Sequence, residues 1–295
     1  MLTFIEFVKA ILYGIVEGIT EWLPVSSTGH LIILEDVLSF SFTEDAVFMA
    51  EFYEMFQVVI QLGAILAVVV LFWHRLWPFS RRQSSGERRA TWRLWGKVLV
   101  ASIPAAIFGL GLDKILEAKT GKSMDDWLYN ATVVAIALIV YGVAFILIEK
   151  CRKNTAARIE RVEDISLPTA LYIGAFQALS LIPGTSRSGS TILGSMMLGL
   201  SRETAAEFSF FMAIPAMAGA SAIKSLGFVK FVLETGTVVP AMAYLTLAVG
   251  CLVSFVVSLC AIRFLMDFVK RHTFSAFGIY RIALGALVLA WAVVR

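Results

Sequence analysis

Apolar residues are gathered into long blocks separated by short polar stretches. Nearly continuous apolar blocks cover residues 51–73, 94–112, 127–148, 203–226, 238–262 and 274–294. Each is close to or above the length of roughly 20 residues that a helix needs to cross ~30 Å of hydrocarbon. Two more apolar stretches, about 2–38 and 167–200, are interrupted near their middles by Pro, Gly and Ser. A helix broken at membrane depth leaves backbone groups unpaired, which is tolerated only where the break faces protein or water. The pattern predicts an all-α polytopic membrane protein with six spans and two broken segments that line a polar cavity.

Loop charge sets the expected orientation. Residues 74–97 carry Arg75, Arg81, Arg82, Arg88, Arg89, Arg93 and Lys97. Residues 149–165 carry Lys150, Arg152, Lys153, Arg158 and Arg161, and 263–273 carry Arg263, Lys270 and Arg271. Stretch 113–126 offsets its lysines with acids, and 227–237 has only Lys230. Basic loops mark the cytoplasmic face. Span 203–226 can then begin on that face only if 167–200 enters and leaves there, as a re-entrant helical hairpin. By analogy, 2–38 is a re-entrant hairpin from the outer face.

The analogy has support in the residues. At an offset of 160, Gly14 meets Gly174, Glu17 meets Gln177, Ser26 meets Ser186, Thr28 meets Ser188 and Gly29 meets Gly189. Residues 1–150 and 166–295 then read as two inverted-topology repeats within a single membrane domain. Each is a hairpin plus three transmembrane helices, an odd number of crossings, and such repeats place their site at the interface between them.

Composition narrows the class further. Of 295 residues, 59% are hydrophobic and 16% charged, too few charges to cover a soluble surface. The net charge of +3 follows from the basic loops, so nucleic acid is not an expected partner and the bilayer is. Cys151, Cys251 and Cys260 have neither disulfide nor metal-ligand spacing. Small-residue spacing such as Gly14-x-x-x-Gly18 permits close helix contact, within the chain or across a homodimer.

Two polar constellations occupy the broken segments. The first is Glu17-Gly-Ile-Thr-Glu21-Trp-Leu-Pro24-Val-Ser26-Ser27-Thr28-Gly29-His30. Glu17 and Glu21 are four apart and share a helix face. Two carboxylates in an apolar setting repel, and ionised groups are expensive there. A divalent cation or a shared proton between them removes the conflict, and Mg2+ and Ca2+ favour carboxylate oxygens. His30 is the only histidine inside an apolar segment, which makes it a candidate base, acid or nucleophile. Ser26, Ser27 and Thr28 can bind phosphate oxygens, supply a nucleophile or cap the following helix.

The second constellation is Pro183-Gly184-Thr185-Ser186-Arg187-Ser188-Gly189-Ser190-Thr191. An Arg at membrane depth wants an anion. Its planar fork suits phosphate, although a carboxylate such as Glu21 would also satisfy Arg187. Glu54, Gln57 and Gln61 mark one face of span 51–73, as partners of the site or as water-facing residues. Glu207 and Arg281 read as structural polar residues. A phosphate cradle, an acid pair and a histidine in one membrane cavity suit a phosphorylated lipid, whose tail stays in the bilayer.

These two strings resemble those of the bacitracin-resistance family of undecaprenyl-diphosphate phosphatases. The string Phe56 to Val68, Glu207-Phe208-Ser209-Phe210 and Tyr280-Arg281 are also similar. The resemblance spans almost the whole chain and departs mildly at Gln57, where the family often has Glu. It implies hydrolysis of undecaprenyl diphosphate to undecaprenyl phosphate and inorganic phosphate, which recycles the lipid carrier for peptidoglycan synthesis and confers bacitracin resistance. It also implies a divalent cation, the bacterial cytoplasmic (inner) membrane, and a site facing the periplasm or outer side. The expected roles are Glu17 and Glu21 for the metal, and Arg187 with Ser26, Thr28, Ser186, Ser188 and Thr191 for phosphate. Glu21, Ser27, His30 and Arg187 are the expected catalytic set. Ser27, His30 and an activated water all remain open as the attacking group. The rival reading is a polyprenyl-phosphate flippase, which needs the clamp but has less use for an acid pair beside His30.

Overall fold

The computed structural model describes residues 2–80, 83–121, 124–153 and 155–294. Arg81, Arg82 and Lys122, which contribute to the loop-charge pattern, lie outside the described residues. Helices follow in the order α1 (Leu2–Thr20), α2 (Ser27–Leu38), α3 (Ala46–Leu71), α4 (Trp73–Leu76), α5 (Ser85–Thr120) and α6 (Met124–Leu128). Then come α7 (Ala131–Arg152), α8 (Leu167–Ala178), α9 (Arg187–Met197), α10 (Arg202–Thr235), α11 (Ala241–Arg271) and α12 (Ser275–Val294). Six of these, α3, α5, α7, α10, α11 and α12, are long and apolar enough to cross a membrane. The chain is a multi-pass, all-helical membrane protein.

The six long helices fall where the apolar blocks lie, but their ends differ, because capping sets helix ends and hydropathy does not. The block 94–112 sits inside α5, whose start is fixed by a capping box between Ser84 and Glu87 and whose end is Gly121 at φ +71°. The block 203–226 likewise extends to Thr235, where Gly236 at φ +66° closes α10. The block 127–148 becomes Ala131–Arg152 because the Asn130 side chain accepts from the Val133 N–H. The block 51–73 starts earlier, at Ala46, where Asp45 accepts from the N–H groups of Val47 and Phe48.

The two interrupted stretches each form a pair of short helices around a turn, α1 with α2 and α8 with α9, and each pair packs together. Packing is interlaced along the chain. Helix α1 lies along α11, α8 along α5, α3 along α10 and α11, and α7 along α12. Each hairpin's first helix therefore leans on a long helix from the other half of the sequence. The α7–α12 backbones meet at Gly142 and Gly278, where a Cβ added to either would stand 2.7 Å from the other's carbonyl oxygen. Gly14 and Gly18 make the same kind of close contact with α11 of their own chain. Trp22, Phe145, Phe208, Phe210 and Phe211 fill the interior, while Leu99, Ile107, Val140, Leu233 and Val256 point outward. An apolar exterior over a packed interior suits a hydrocarbon solvent.

Candidate active site

The turns of the two hairpins meet. After Thr20 the chain holds two more helical bonds, Glu21 N–H to Glu17 O and Leu23 N–H to Ile19 O, and then breaks around Pro24. After Ala178 it passes through a short 3-10 turn to Pro183 and Gly184. Gly184 has φ +92°, and a Cβ there would come 2.5 Å from the Val134 carbonyl oxygen, so a larger residue does not fit. Among the described residues, the only non-glycine residues with positive φ are Ser26 (72°) and Ser186 (68°). They precede α2 and α9, and their numbers differ by 160, since 186 − 26 = 160. Such backbone is strained for a residue with a Cβ, and strain of this kind collects at functional sites.

The two caps differ in use. The Ser186 hydroxyl accepts from the Gly189 N–H, so α9 is capped. Ser26 gives α2 no side-chain cap, and its buried hydroxyl has no partner. The first-turn N–H groups of α2 thus remain uncapped, as an anion site needs, and the Ser26 hydroxyl beside them is uncommitted but buried.

Arg187 joins the two turns. Its Nη2 donates to Glu21 Oε1 at 3.1 Å, its Nη1 donates to the Ser209 carbonyl at 2.8 Å, and its Nε is buried without a partner. The guanidinium carbon lies 5.9 Å from the Trp22 ring centroid. The other oxygen of Glu21, Oε2, accepts from the Ser27 hydroxyl at 3.1 Å. One carboxylate therefore holds a cation from the second turn and a hydroxyl from the first.

His30 is held from both sides of its ring. Nδ1 lies 2.8 Å from the Ser26 carbonyl oxygen and Nε2 lies 2.7 Å from the Tyr280 hydroxyl. A carbonyl only accepts, so Nδ1 carries the proton, and in the neutral ring Nε2 bears the lone pair. The two rings also stack at 5.7 Å with planes 9° apart.

The remaining expected residues divide by burial. Glu17 is fully buried and neither carboxylate oxygen has a partner, with Glu21 and Arg187 as its charged neighbours. Ser27, Thr28, Ser186 and Arg187 are partly exposed, as a ligand would require. Ser188 and Thr191 are buried and their hydroxyls are engaged. Ser188 donates to the Glu21 carbonyl at 3.1 Å, and Thr191 donates to the Arg187 carbonyl at 2.8 Å and pairs with the Ser209 hydroxyl at 2.6 Å. Glu54 pairs with Lys224. Glu207 pairs with Arg75, whose fork also reaches Glu163. Partial burial works to raise the Glu163 carboxyl, but its own N–H and Arg75 outweigh that and hold it below the usual carboxylate range. A cavity of about 570 Å3 beside His74, Arg75, Arg93 and Lys97 is separate from these turns.

Sequence reasoning read Arg281 as a structural polar residue and Tyr280-Arg281 as part of the family resemblance, and gave neither a place at the site. Arg281 is completely buried and donates to carbonyls of both turns, and Tyr280 touches His30. Both sit on α12, far away in the sequence, where polar residues in an apolar span and the resemblance of the Tyr280-Arg281 string were the available signals, and neither signal says that they reach the two turns.

The family model for bacitracin resistance protein BacA matches residues 10–287. An undecaprenyl-diphosphatase of Enterococcus faecalis is 49% identical over 283 residues, covering 96% of this chain and 96% of its own. The undecaprenyl-diphosphatase of Lactiplantibacillus plantarum is 50% identical, covering 97% of this chain and 98% of its own. That of Acetivibrio thermocellus is 49% identical over the same shares. With its two polar turns joined through Arg187 and Glu21, and this likeness along nearly its full length, the chain belongs to the BacA family.

Proposed function

We propose that the protein hydrolyses undecaprenyl diphosphate to undecaprenyl phosphate and inorganic phosphate, at the junction of the two turns. The carrying observation is the Arg187–Glu21 contact, which puts a phosphate-type clamp from one segment against the acid pair of the other. The family and the named activity of the relatives support the same reading.

The geometry supports the following roles. Arg187 has a free Nε and a fork shared with Glu21, so it can take phosphate oxygens without losing its hold on Ser209. The open N–H groups of α2, with Ser26 and Thr28, offer neutral donors on the other side. Ser186 and Ser188 shape the second turn, and Thr191 fixes the carbonyl beneath Arg187. Ser27, on Glu21, is positioned to attack or to activate water, and His30 would take either role once its Nε2 lone pair, which here accepts from the Tyr280 hydroxyl, is released. Attack of water at the terminal phosphorus forms one P–O bond and breaks the bond to the bridging oxygen, which leaves on the lipid phosphate. Attack by Ser27 or His30 breaks the same bond but forms a P–O or P–N bond to the enzyme, which water then cleaves to release inorganic phosphate.

Glu17 fits a divalent cation, because its two buried, unpartnered oxygens are hard ligands in need of positive charge. Glu17 and Glu21 would hold the ion, and when bound it would neutralise charge on the diphosphate. The turns open to the periplasmic side of the bacterial cytoplasmic membrane, and the two hairpin-plus-three-helix halves are inverted repeats. Lipid transport would use the clamp but leaves the Ser27–Glu21 contact and the ordered His30 without a task.

The test is phosphate release from undecaprenyl diphosphate by purified protein in detergent, with and without EDTA, beside Glu21→Ala and Arg187→Ala. Metal-dependent release that both variants lose supports the reading. A folded wild type that releases no phosphate overturns it.

A further inference from the structure

The Arg187–Glu21 contact has a weakness as a structural strap. A phosphate that enters the site competes with Glu21 for the same guanidinium, so the registry of the two turns must be kept by groups the substrate does not touch. Arg281 meets that description. It is 0% exposed, and among the described residues its hydrogen bonds go to backbone carbonyls alone, with Nε left without a partner. Its Nη1 donates to Pro24 O at 3.1 Å, in the first break, and its Nη2 donates to Gly184 O at 2.8 Å and Thr185 O at 2.9 Å, in the second. Carbonyls at a helix break have lost their intrahelical N–H partners, and at membrane depth there is little water to replace them. A guanidinium has five donors in a rigid fork and can serve two breaks at once. The Tyr141 ring lies 5.5 Å from the guanidinium carbon, and the Tyr141 hydroxyl accepts from Ser190 of the second turn.

Resting on the hydrolase reading for its kinetic consequence, we propose that Arg281 is a positioning residue that clips the two broken segments together, so that Ser27 and His30 stay in register with Arg187 through turnover. Its hydrogen bonds go to backbone alone, and it is not itself a catalytic residue. Gly189 sets the limit on its place, since a Cβ there would stand 2.9 Å from Arg281 Nη1. Glycine at that position leaves the arm that reaches Pro24 undisturbed.

The test combines amide hydrogen exchange, which needs no substrate, with steady-state kinetics on Arg281→Lys, Arg281→Met and Gly189→Ala. Arg202→Met serves as a control that removes a part-buried arginine contact elsewhere, the bidentate ion pair with Glu149 at 2.8 and 2.6 Å. Arg281→Met and Arg281→Lys are expected to speed exchange around residues 22–29 and 182–190, Lys because a single ammonium lacks the fork. Both should lower kcat by about 10–100-fold with KM little changed, the equivalent of one or more charged hydrogen bonds. Gly189→Ala, read by exchange alone, should loosen the first break and leave the rest of the fold protected. Arg202→Met should lower the melting temperature while kcat and exchange at the two breaks stay as in the wild type. Unchanged exchange at both breaks in Arg281→Met overturns the proposal, as does wild-type kcat in Arg281→Lys. If Arg281→Met loosens the whole chain, Gly189→Ala decides, and wild-type exchange around residues 22–29 in that variant overturns the clip. A wild type that releases no phosphate while the exchange results hold would sink the hydrolase reading and leave the clip standing.

Discussion

Arg187→Lys keeps a positive charge in the site and removes the fork. In the structure the two arms of Arg187 serve different partners, Ser209 O at 2.8 Å and Glu21 Oε1 at 3.1 Å, with the side chain only 11% exposed. A lysine has one charged nitrogen, so it can follow Glu21 or Ser209 but cannot hold both and also meet a phosphate. The substitution therefore removes at least one charge-assisted hydrogen bond, worth about 1.5–3 kcal/mol. Screening by water does little to reduce this at so buried a pair. At about 1.4 kcal/mol per decade, kcat/KM should fall by about 10–150-fold. The assay is phosphate release from undecaprenyl diphosphate at saturating divalent cation, on protein whose melting temperature is measured in the same detergent. Arg187→Met should be less stable as well as less active, because it leaves Glu21 buried without its cation. A folded Arg187→Lys with kcat/KM within a factor of about three of the wild type would refute the fork argument, since a lost charged bond is worth more than that.

Other outcomes follow from the same geometry. Glu17→Gln keeps the shape and removes the charge, so half-maximal activation should need at least about tenfold more divalent cation, and equilibrium dialysis should show weaker ion binding. Unaltered ion affinity would remove Glu17 from that role. Ser26→Gly relieves a φ of 72° and deletes an unpartnered hydroxyl, so the melting temperature should rise while kcat falls. A lower melting temperature would show that the backbone there is not strained. Gly174→Ala would bring a Cβ to 2.1 Å from the Ala101 carbonyl oxygen, so α8 and α5 must separate and the protein should lose about 1–3 kcal/mol or more of stability by thermal melting. Wild-type stability would mean that the two helices are not held this closely.

The sequence by itself determined the elements and the chemical inventory. A run of ~20 apolar residues has few options in a bilayer other than a helix, so α3, α5, α7, α10, α11 and α12 were legible from hydropathy. Pro24 and Pro183 marked the two breaks for an equally local reason, because proline has no N–H to give to a helix. Glu17, Glu21, His30 and Arg187 stood out because ionisable groups are costly among apolar neighbours. Helix ends were less legible, as Asn130 and Gly121 act through caps that hydropathy does not register. Only the tertiary structure decided which polar groups are spent on structure and which stay open to a ligand. Ser188 and Thr191 look like phosphate binders in a string of hydroxyls, yet their hydroxyls serve backbone carbonyls, while Ser26 is left without a partner. The roles of Tyr280 and Arg281 depend on α12 packing along α7 beside both turns, a contact between segments over a hundred residues apart. Hydrophobic blocks specify that helices form, but the lateral order in which they pack is set by close fits such as Gly142 against Gly278. Those fits exist only once both surfaces are in place.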